Sequence, residues 1–204
     1  IPAQSGSNRI LKAMNRNYSV EAYLELISRA RELVPGITIA GDFIVGYCGE
    51  TEADFLATKE LMRKVRYKNC FIFKYSPRPG TRAAAKMADD VPEVVKKQRN
   101  TELLALQNEI AFADNQKLVG QPVEILVEGA SKKPHLNSGE DEPEADAECT
   151  INYYAASNSD TIQLTGRTRG DQIAVFNGSS NLIGQIVKLK IVKASALTLF
   201  GEMQ

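Results

Sequence analysis

The chain has 204 residues, of which 43% are hydrophobic and 25% charged, and its 25 basic and 25 acidic side chains give a net charge of zero. The apolar fraction excludes a disordered chain, and the lack of any run of about 18 apolar residues excludes a membrane span. The three cysteines, at positions 48, 70 and 149, form no CxxC motif or paired framework, which favours a reducing, cytoplasmic compartment. A net charge of zero argues at first sight against a nucleic-acid partner.

Strand and helix patterns alternate through the first 116 residues. In chain order the predicted elements are the end of a strand at Ile1–Gln4, a short helix capped by Ser7, a helix capped by Ser19, a strand at Ile37–Gly46, a helix that begins at Thr51, a strand at Cys70–Tyr75 and a long helix from Pro92 to Gln116. This alternation indicates a parallel α/β sheet or barrel. Because three strands cannot close a barrel and the first residue is not Met, we expect further strands upstream of this chain.

The pattern changes after Gly120. Short strands separated by Gly and Asn turns are predicted at residues 123–128, 161–165, 173–176, 186–192 and 197–200, which favours a small antiparallel β-barrel over residues 117–204. Residues 131–160 are polar and acidic, and we expect them to form a disordered surface insertion.

Polar side chains stand at the predicted carboxyl ends of the parallel strands, where α/β proteins bind ligands. Gln4 and Asp42 could accept or donate hydrogen bonds to sugar hydroxyls, and Arg16 could hold a carboxylate through two parallel hydrogen bonds. Ile44 and Gly46 could form a flat wall for a purine. On spacing alone a structural role stays open, since an arginine at a helix end also complements the helix dipole.

The second candidate site is a set of cations in the predicted barrel. Arg167 and Arg169 are two residues apart, as are Lys188 and Lys190, so each pair would share one face of an extended segment and could follow a phosphate backbone. An ordinary solvated strand face remains the alternative. His135 and the scattered cysteines support no catalytic dyad or metal site, so no catalytic or metal-binding residue is assigned.

Five segments together resemble the methylthiotransferase family of radical S-adenosylmethionine (SAM) enzymes and their RNA-binding TRAM domain: Ile1–Arg16, Gly41–Glu52, Phe73–Thr81, Gly166–Arg169 and Leu182–Gly184. Pro2–Ser7 and Phe73–Thr81 are most similar to the tRNA-modifying branch of that family. A ribosomal-protein methylthiotransferase and a non-enzymatic RNA-binding module remain as alternatives.

The resemblance implies the C-terminal half of a (β/α) radical SAM partial barrel over residues 1–116, followed by a TRAM, OB-like β-barrel. It implies an enzyme that adds a methylthio group to isopentenyl-adenosine beside the anticodon of tRNA, using SAM, two [4Fe-4S] clusters and an electron donor such as a flavodoxin-type protein. Because the cluster-binding cysteines of the family are absent from this sequence, we expect the chain to be inactive alone.

The resemblance also implies roles for individual residues. Gln4 and Asp42 would hold the SAM ribose and Arg16 the SAM carboxylate. The remaining cofactor-binding residues would be Ser7, Ile44, Gly46, Tyr75 and Ser76. The RNA-binding residues of the TRAM face would be Arg167, Arg169, Lys188 and Lys190.

The neutral total conceals an uneven distribution of charge. Residues 1–116 carry 17 basic and 14 acidic side chains, and residues 117–204 carry 8 and 11. Six of those acids and no base lie in residues 138–150, so without this stretch each domain has a net charge of +3. The zero net charge is therefore no objection to an RNA partner.

Overall fold

The computed structural model describes residues 1–132 and 161–204. The predicted disordered insertion lies outside the described residues, except for residues 131 and 132. The chain divides into two compact units, one of residues 1–117 with 195–197 and the other of residues 118–194 with 198–204.

The first unit combines five helices with a short parallel sheet. The helices are α1 (Asn8–Ala13), α2 (Val20–Leu33), α3 (Glu52–Val65), α4 (Arg82–Lys86) and α5 (Glu93–Gln116), and the strands are β1 (Ala40–Val45) and β2 (Asn69–Lys74). None of the helices in the described ranges is long and apolar enough to cross a membrane.

Side-chain chemistry at the helix starts explains where these helices begin. Ser7, Ser19 and Thr51 each accept a hydrogen bond from a backbone N–H of the first turn, and Thr51 forms a reciprocal capping box with Asp54. The expected caps are thus confirmed. The five-residue α4, capped by Thr81, was not predicted, because so short a helix shows no apolar period.

Strands β1 and β2 pair in parallel, with Ala40 opposite Asn69, and Gln4 forms an isolated parallel bridge with Phe43 on the other edge of β1. Phe43 and Val45 are fully buried in a core shared with α2, α3 and α5. The alternate residues of β1 are only half-buried. The nearly continuous apolar run at Ile37–Gly46 predicts a strand buried on both faces. That prediction is wrong for the described residues, since the helices cover one face of the sheet only.

The second unit is a closed five-stranded barrel with the strand order β3-β4-β5-β7-β6. The strands are β3 (Pro122–Ala130), β4 (Thr161–Thr168), β5 (Ile173–Ser179), β6 (Ile186–Ala194) and β7 (Thr198–Met203), and a 3-10 helix spans Ser180–Leu182. Four of the five pairings are antiparallel, and β5 pairs with β7 in parallel. Leu164, Leu189 and Leu199 fill the interior with no exposed surface, so the predicted α/β portion followed by a small β-barrel is confirmed.

Candidate cofactor site and nucleic-acid interface

The structure joins Gln4 to the Arg16 side chain and to the backbone of Asp42, but Asp42 lies in the middle of β1 and not at its carboxyl end as the sequence predicts. The backbone N–H of Gln4 donates to the carbonyl of Asp42 at 2.7 Å, and the Arg16 guanidinium donates to the side-chain oxygen of Gln4 at 2.9 Å. Gln4 has a φ of 65°, a left-handed conformation that residues other than glycine rarely adopt. Strained residues of this kind cluster at ligand sites, so the arrangement fits a bound polar ligand.

Two phenylalanines share the open face of the sheet with Asp42 and Ile44. In the parallel register Asp42 lies beside Phe71 and Ile44 beside Phe73, so all four side chains point to the face opposite the helices. The Phe71 and Phe73 rings stack with centroids 6.5 Å apart at 11°, and 58% and 57% of these residues are exposed. This aromatic pair was not predicted, although the Phe-x-Phe spacing in a strand places both rings on one face.

Gly46 begins the loop that follows β1 and allows a backbone conformation that other residues rarely adopt. The φ of Gly46 is 71°, and a Cβ atom at this position would lie 2.3 Å from Cγ of Lys96. The Gly46 N–H donates to the Glu50 carboxylate at 2.7 Å. Packing and backbone conformation thus both require glycine here, beyond any role in lining an adenine.

Helix α5 holds two loops through buried cations, the loop after β1 through Arg99 and the loop after α4 through Lys96. Arg99 donates to the Glu50 carboxylate at 2.7 Å, while the Lys96 ammonium donates to Asp89 at 2.5 Å. Lys96, Arg99 and Glu50 are only 3%, 6% and 6% exposed. Burial raises the pKa of Glu50 above its ordinary value, and the hydrogen bond from Gly46 and the charge of Arg99 oppose that rise. These anchors were missed because lysine and arginine on an amphipathic helix normally indicate its solvent face.

The Ser7 side chain bonds to other groups of the protein. Its hydroxyl donates to Asp54 at 2.6 Å and accepts from the Ile10 N–H at 3.4 Å. Burial alone would raise the pKa of Asp54, but hydrogen bonds from Arg9, Ser7 and Thr51 outweigh it and hold that pKa well below its usual range. Because both hydrogen-bonding functions of the Ser7 hydroxyl are used within the protein, we do not retain Ser7 as a cofactor ligand.

Tyr75 and Ser76 follow β2 directly. The Tyr75 ring packs edge-on against Tyr47 at 4.9 Å, and the Lys96 ammonium lies 5.3 Å from its centroid. Its hydroxyl is buried and, within the described ranges, has no hydrogen-bond partner. Burial, together with the neighbouring Cys48 thiol, raises the pKa of Tyr75 to about 12, so the group is a neutral phenol. Ser76 is exposed.

The residues described here fit SAM but not an iron–sulfur cluster. No group of three or more His, Cys, Asp or Glu side chains that could hold a metal ion occurs in the described parts of the chain. Cys48 and Cys70 are buried and free, and burial raises the pKa of Cys70 to about 12, whereas a cluster ligand must be a thiolate. Cys149 lies outside the described residues.

The arginines predicted to bind RNA differ in position. Arg167 lies in β4 and forms ion pairs with Asp171 at 2.6 Å and Glu128 at 3.3 Å. Because β4 ends at Thr168, Arg169 lies in the following turn. The expectation that both arginines share one face of an extended segment is therefore wrong for Arg169.

The two lysines of β6 share an outward face, as their spacing predicts. Lys188 and Lys190 are exposed while Leu189 between them is fully buried. Lys188 lies opposite Glu124, with their charged atoms 4.0 Å apart, and Lys190 lies opposite Glu202 of β7. Acidic residues thus accompany the cations on this part of the barrel surface.

Comparison with known proteins agrees with both units. Residues 1–62 match the model of the radical SAM superfamily, and residues 157–203 match the model of the TRAM domain. The first part of the chain is thus similar to radical SAM proteins and the last part to TRAM domains.

Two named proteins are similar to the chain over nearly its whole length. The chain is 44% identical over 204 residues to the tRNA-2-methylthio-N(6)-dimethylallyladenosine synthase of Rhodopirellula baltica, covering 100% of this chain and 39% of that protein. It is 42% identical over 203 residues to the synthase of the same name from Moorella thermoacetica, covering 100% of this chain and 40% of the relative. The chain therefore spans about two fifths of the length of these relatives.

Proposed function

We propose that the full-length protein is a radical SAM enzyme that adds a methylthio group to N6-dimethylallyladenosine beside the anticodon of tRNA. The observation that carries the proposal is the left-handed Gln4, whose backbone bonds to Asp42 of β1 and whose side chain accepts from Arg16, in a unit whose sequence matches the radical SAM superfamily. The TRAM match and the names of the relatives support tRNA as the substrate.

In this proposal the residues around Gln4 bind SAM. Asp42 and the Gln4 amide accept and donate hydrogen bonds to the ribose hydroxyls, Arg16 binds the carboxylate, and Ile44 contacts the adenine. When bound, SAM would supply the methyl group and the radical that removes hydrogen from the target carbon. The clusters, the flavodoxin-type electron donor and a cytoplasmic location belong to the proposal for the whole protein, and we assign the clusters no ligand among the described residues.

The exposed aromatic pair supports a nucleic-acid substrate. Phe71 and Phe73 lie in register with Asp42 and Ile44, so an unstacked base at this face would meet two parallel rings beside the proposed cofactor. Aromatic side chains on which bases stack are typical of proteins that bind single-stranded RNA.

The test is SAM binding by the full-length protein, measured by equilibrium dialysis. We expect Asp42→Asn to weaken SAM about 10- to 100-fold, because a hydrogen bond to a charged acceptor contributes about 1.5–3 kcal/mol. Glu109→Gln, which alters an exposed carboxylate on α5, is the matched control and should bind normally. Unchanged affinity in Asp42→Asn would exclude the ribose assignment, and no SAM binding by the wild type would favour a non-enzymatic RNA-binding module.

A further inference from the structure

Two short helices at the strand ends of the first unit expose basic residues that have no acidic partner. Lys12 is exposed on α1, Arg82 and Lys86 are exposed on α4, and Arg78 is exposed in the loop that precedes α4. In the described part of the chain no ion pair joins any of these four cations to a carboxylate.

The two helices pack on one small core, so their outer sides face solvent together. The Tyr47 hydroxyl donates to the carbonyl of Ala13 at the end of α1 and lies 3.6 Å from the sulfur of Met87 at the end of α4. Ile10 of α1 is buried in the same cluster, against which Ala83 of α4 packs. The exposed cations therefore point away from a shared core.

The nearest acids along the chain, Asp89 and Asp90, bond to Lys96 and to the Gly49 N–H and not to this surface. Residues 74–88 contain four basic and no acidic side chains, and residues 3–20 contain three basic and none acidic. The barrel differs, because Arg167 and Lys188 there are paired with carboxylates.

We propose that the α1–α4 basic face, consisting of Lys12, Arg78, Arg82 and Lys86, binds the phosphodiester backbone of the substrate RNA. Unpaired cations on one surface complement the regular negative charge of a nucleic-acid strand, and such contacts fix its position without reading its sequence. Arg16 follows α1 directly and donates to Gln4, so RNA on this face lies beside the proposed SAM site. The identity of the RNA rests on the proposed function, whereas the surface itself does not.

The experiment measures binding of an anticodon stem-loop RNA that contains N6-dimethylallyladenosine to the full-length protein, by fluorescence anisotropy between about 50 and 200 mM salt. The test variant is Lys12→Gln/Arg82→Gln/Lys86→Gln. The matched control, Arg29→Gln/Arg63→Gln/Lys97→Gln, removes the same charge from exposed positions on α2, α3 and α5.

The affinity falls with salt, and each phosphate contact adds about 0.7–0.9 to the steepness of log K against log salt concentration. The plot for the test variant should therefore be shallower than that for the wild type by about 2–3. Its affinity at about 0.1 M salt should fall roughly 100-fold, while the control keeps the wild-type slope. SAM affinity, measured in parallel, should be unchanged in the test variant because none of its three residues is assigned to the cofactor.

Separate outcomes distinguish the two proposals. If the wild type binds the RNA and the test variant keeps its slope, the α1–α4 face is excluded and the proposed function stands. Equal weakening of the test and control variants would also exclude it, because net charge alone would then explain the loss. If the wild type binds neither RNA nor SAM, the proposed function fails.

Two further variants complete the test. Lys12→Arg/Arg82→Lys/Lys86→Arg keeps the charges and should bind like the wild type. If the glutamine variant does not fold, Lys86→Gln alone should make the salt dependence shallower by about 1.

Discussion

Replacing Arg99 by Met tests whether the buried pair with Glu50 holds the loop after β1. The Arg99 guanidinium donates to the Glu50 carboxylate at 2.7 Å and to the Glu50 carbonyl at 3.2 Å, and the same carboxylate accepts from Gly46. Met fills a similar volume but leaves the carboxylate buried without its counter-charge. Removing one partner of a buried ion pair typically costs about 3–5 kcal/mol.

This loss should depend on pH. Burial already raises the pKa of Glu50, and without Arg99 that pKa rises further. A carboxyl with a raised folded-state pKa destabilises the protein as pH rises through that pKa, because the unfolded state ionises more readily. We therefore expect the full loss at about pH 7.5. Near the ordinary pKa of 4.5, where the protonated form is accessible, a smaller loss of about 1–3 kcal/mol should remain from the missing hydrogen bonds.

The assay is urea unfolding read by pulsed hydrogen exchange, which reports peptides of α3 and α5 separately from the barrel. Exchange at Gly46 should also accelerate, since its N–H donates to Glu50. Glu50→Gln/Arg99→Met is the control, because it keeps an acceptor for Gly46 without a buried charge, and its stability should vary little with pH. A loss below about 1 kcal/mol for Arg99→Met at about pH 7.5, or equal losses at both pH values, would show that the ion pair with Glu50 does not stabilise this loop.

Three further substitutions test the packing and the charges. Gly6→Ala would place a Cβ 2.3 Å from the Ala57 carbonyl oxygen, so thermal unfolding should show a loss of about 1–3 kcal/mol. Asp54→Asn removes a carboxylate of depressed pKa that pairs with Arg9; the wild-type advantage should be present at neutral pH and disappear in urea titrations as pH falls below the ordinary value of 3.8. Leu189→Ala should destabilise the barrel by about 2–5 kcal/mol in urea unfolding, and a loss under about 1 kcal/mol would contradict its full burial.

Local chemistry explains which elements were predictable from sequence. Ser19 and Thr51 cap their helices through side-chain hydrogen bonds within three residues, so the chain order alone identifies them. The same is true of the alternation of Lys188 and Leu189 in β6. By contrast, the sheet face that carries Ile44 is half-buried because no described element covers it. The packing of helices on one face only is a property of the tertiary structure and cannot be predicted from an apolar run in the sequence.

The candidate site was predictable only in part, because several of its contacts join residues that are distant in the sequence. Gln4 and Arg16 could be inferred as strand-end residues, but the left-handed backbone of Gln4 and its hydrogen bond from Arg16 arise from the bridge to β1. The sequence environment of Lys96 and Arg99 is that of a solvated helix face. Lys96 pairs with Asp89, seven residues away in the loop after α4, whereas Arg99 lies 49 residues from Glu50, in the loop that it anchors. Contacts of this range have no local signature.

The distribution of ion pairs is more informative about an RNA surface than the number of cations. Arg99 is neutralised by the buried Glu50, Lys96 is neutralised by Asp89, and Arg167 is paired twice on the barrel, so these cations offer little free charge. Arg82 and Lys86, without a carboxylate partner among the described residues, retain theirs, because α4 and the loop before it contain no acid and Asp89, in the loop after it, is paired with Lys96. Since counterion release depends on cations that are free to contact phosphate, salt dependence should follow the α4 residues more closely than Arg167. Arg167→Gln should accordingly lower the slope by less than Lys86→Gln, and the reverse order would place the principal phosphate contacts on the barrel.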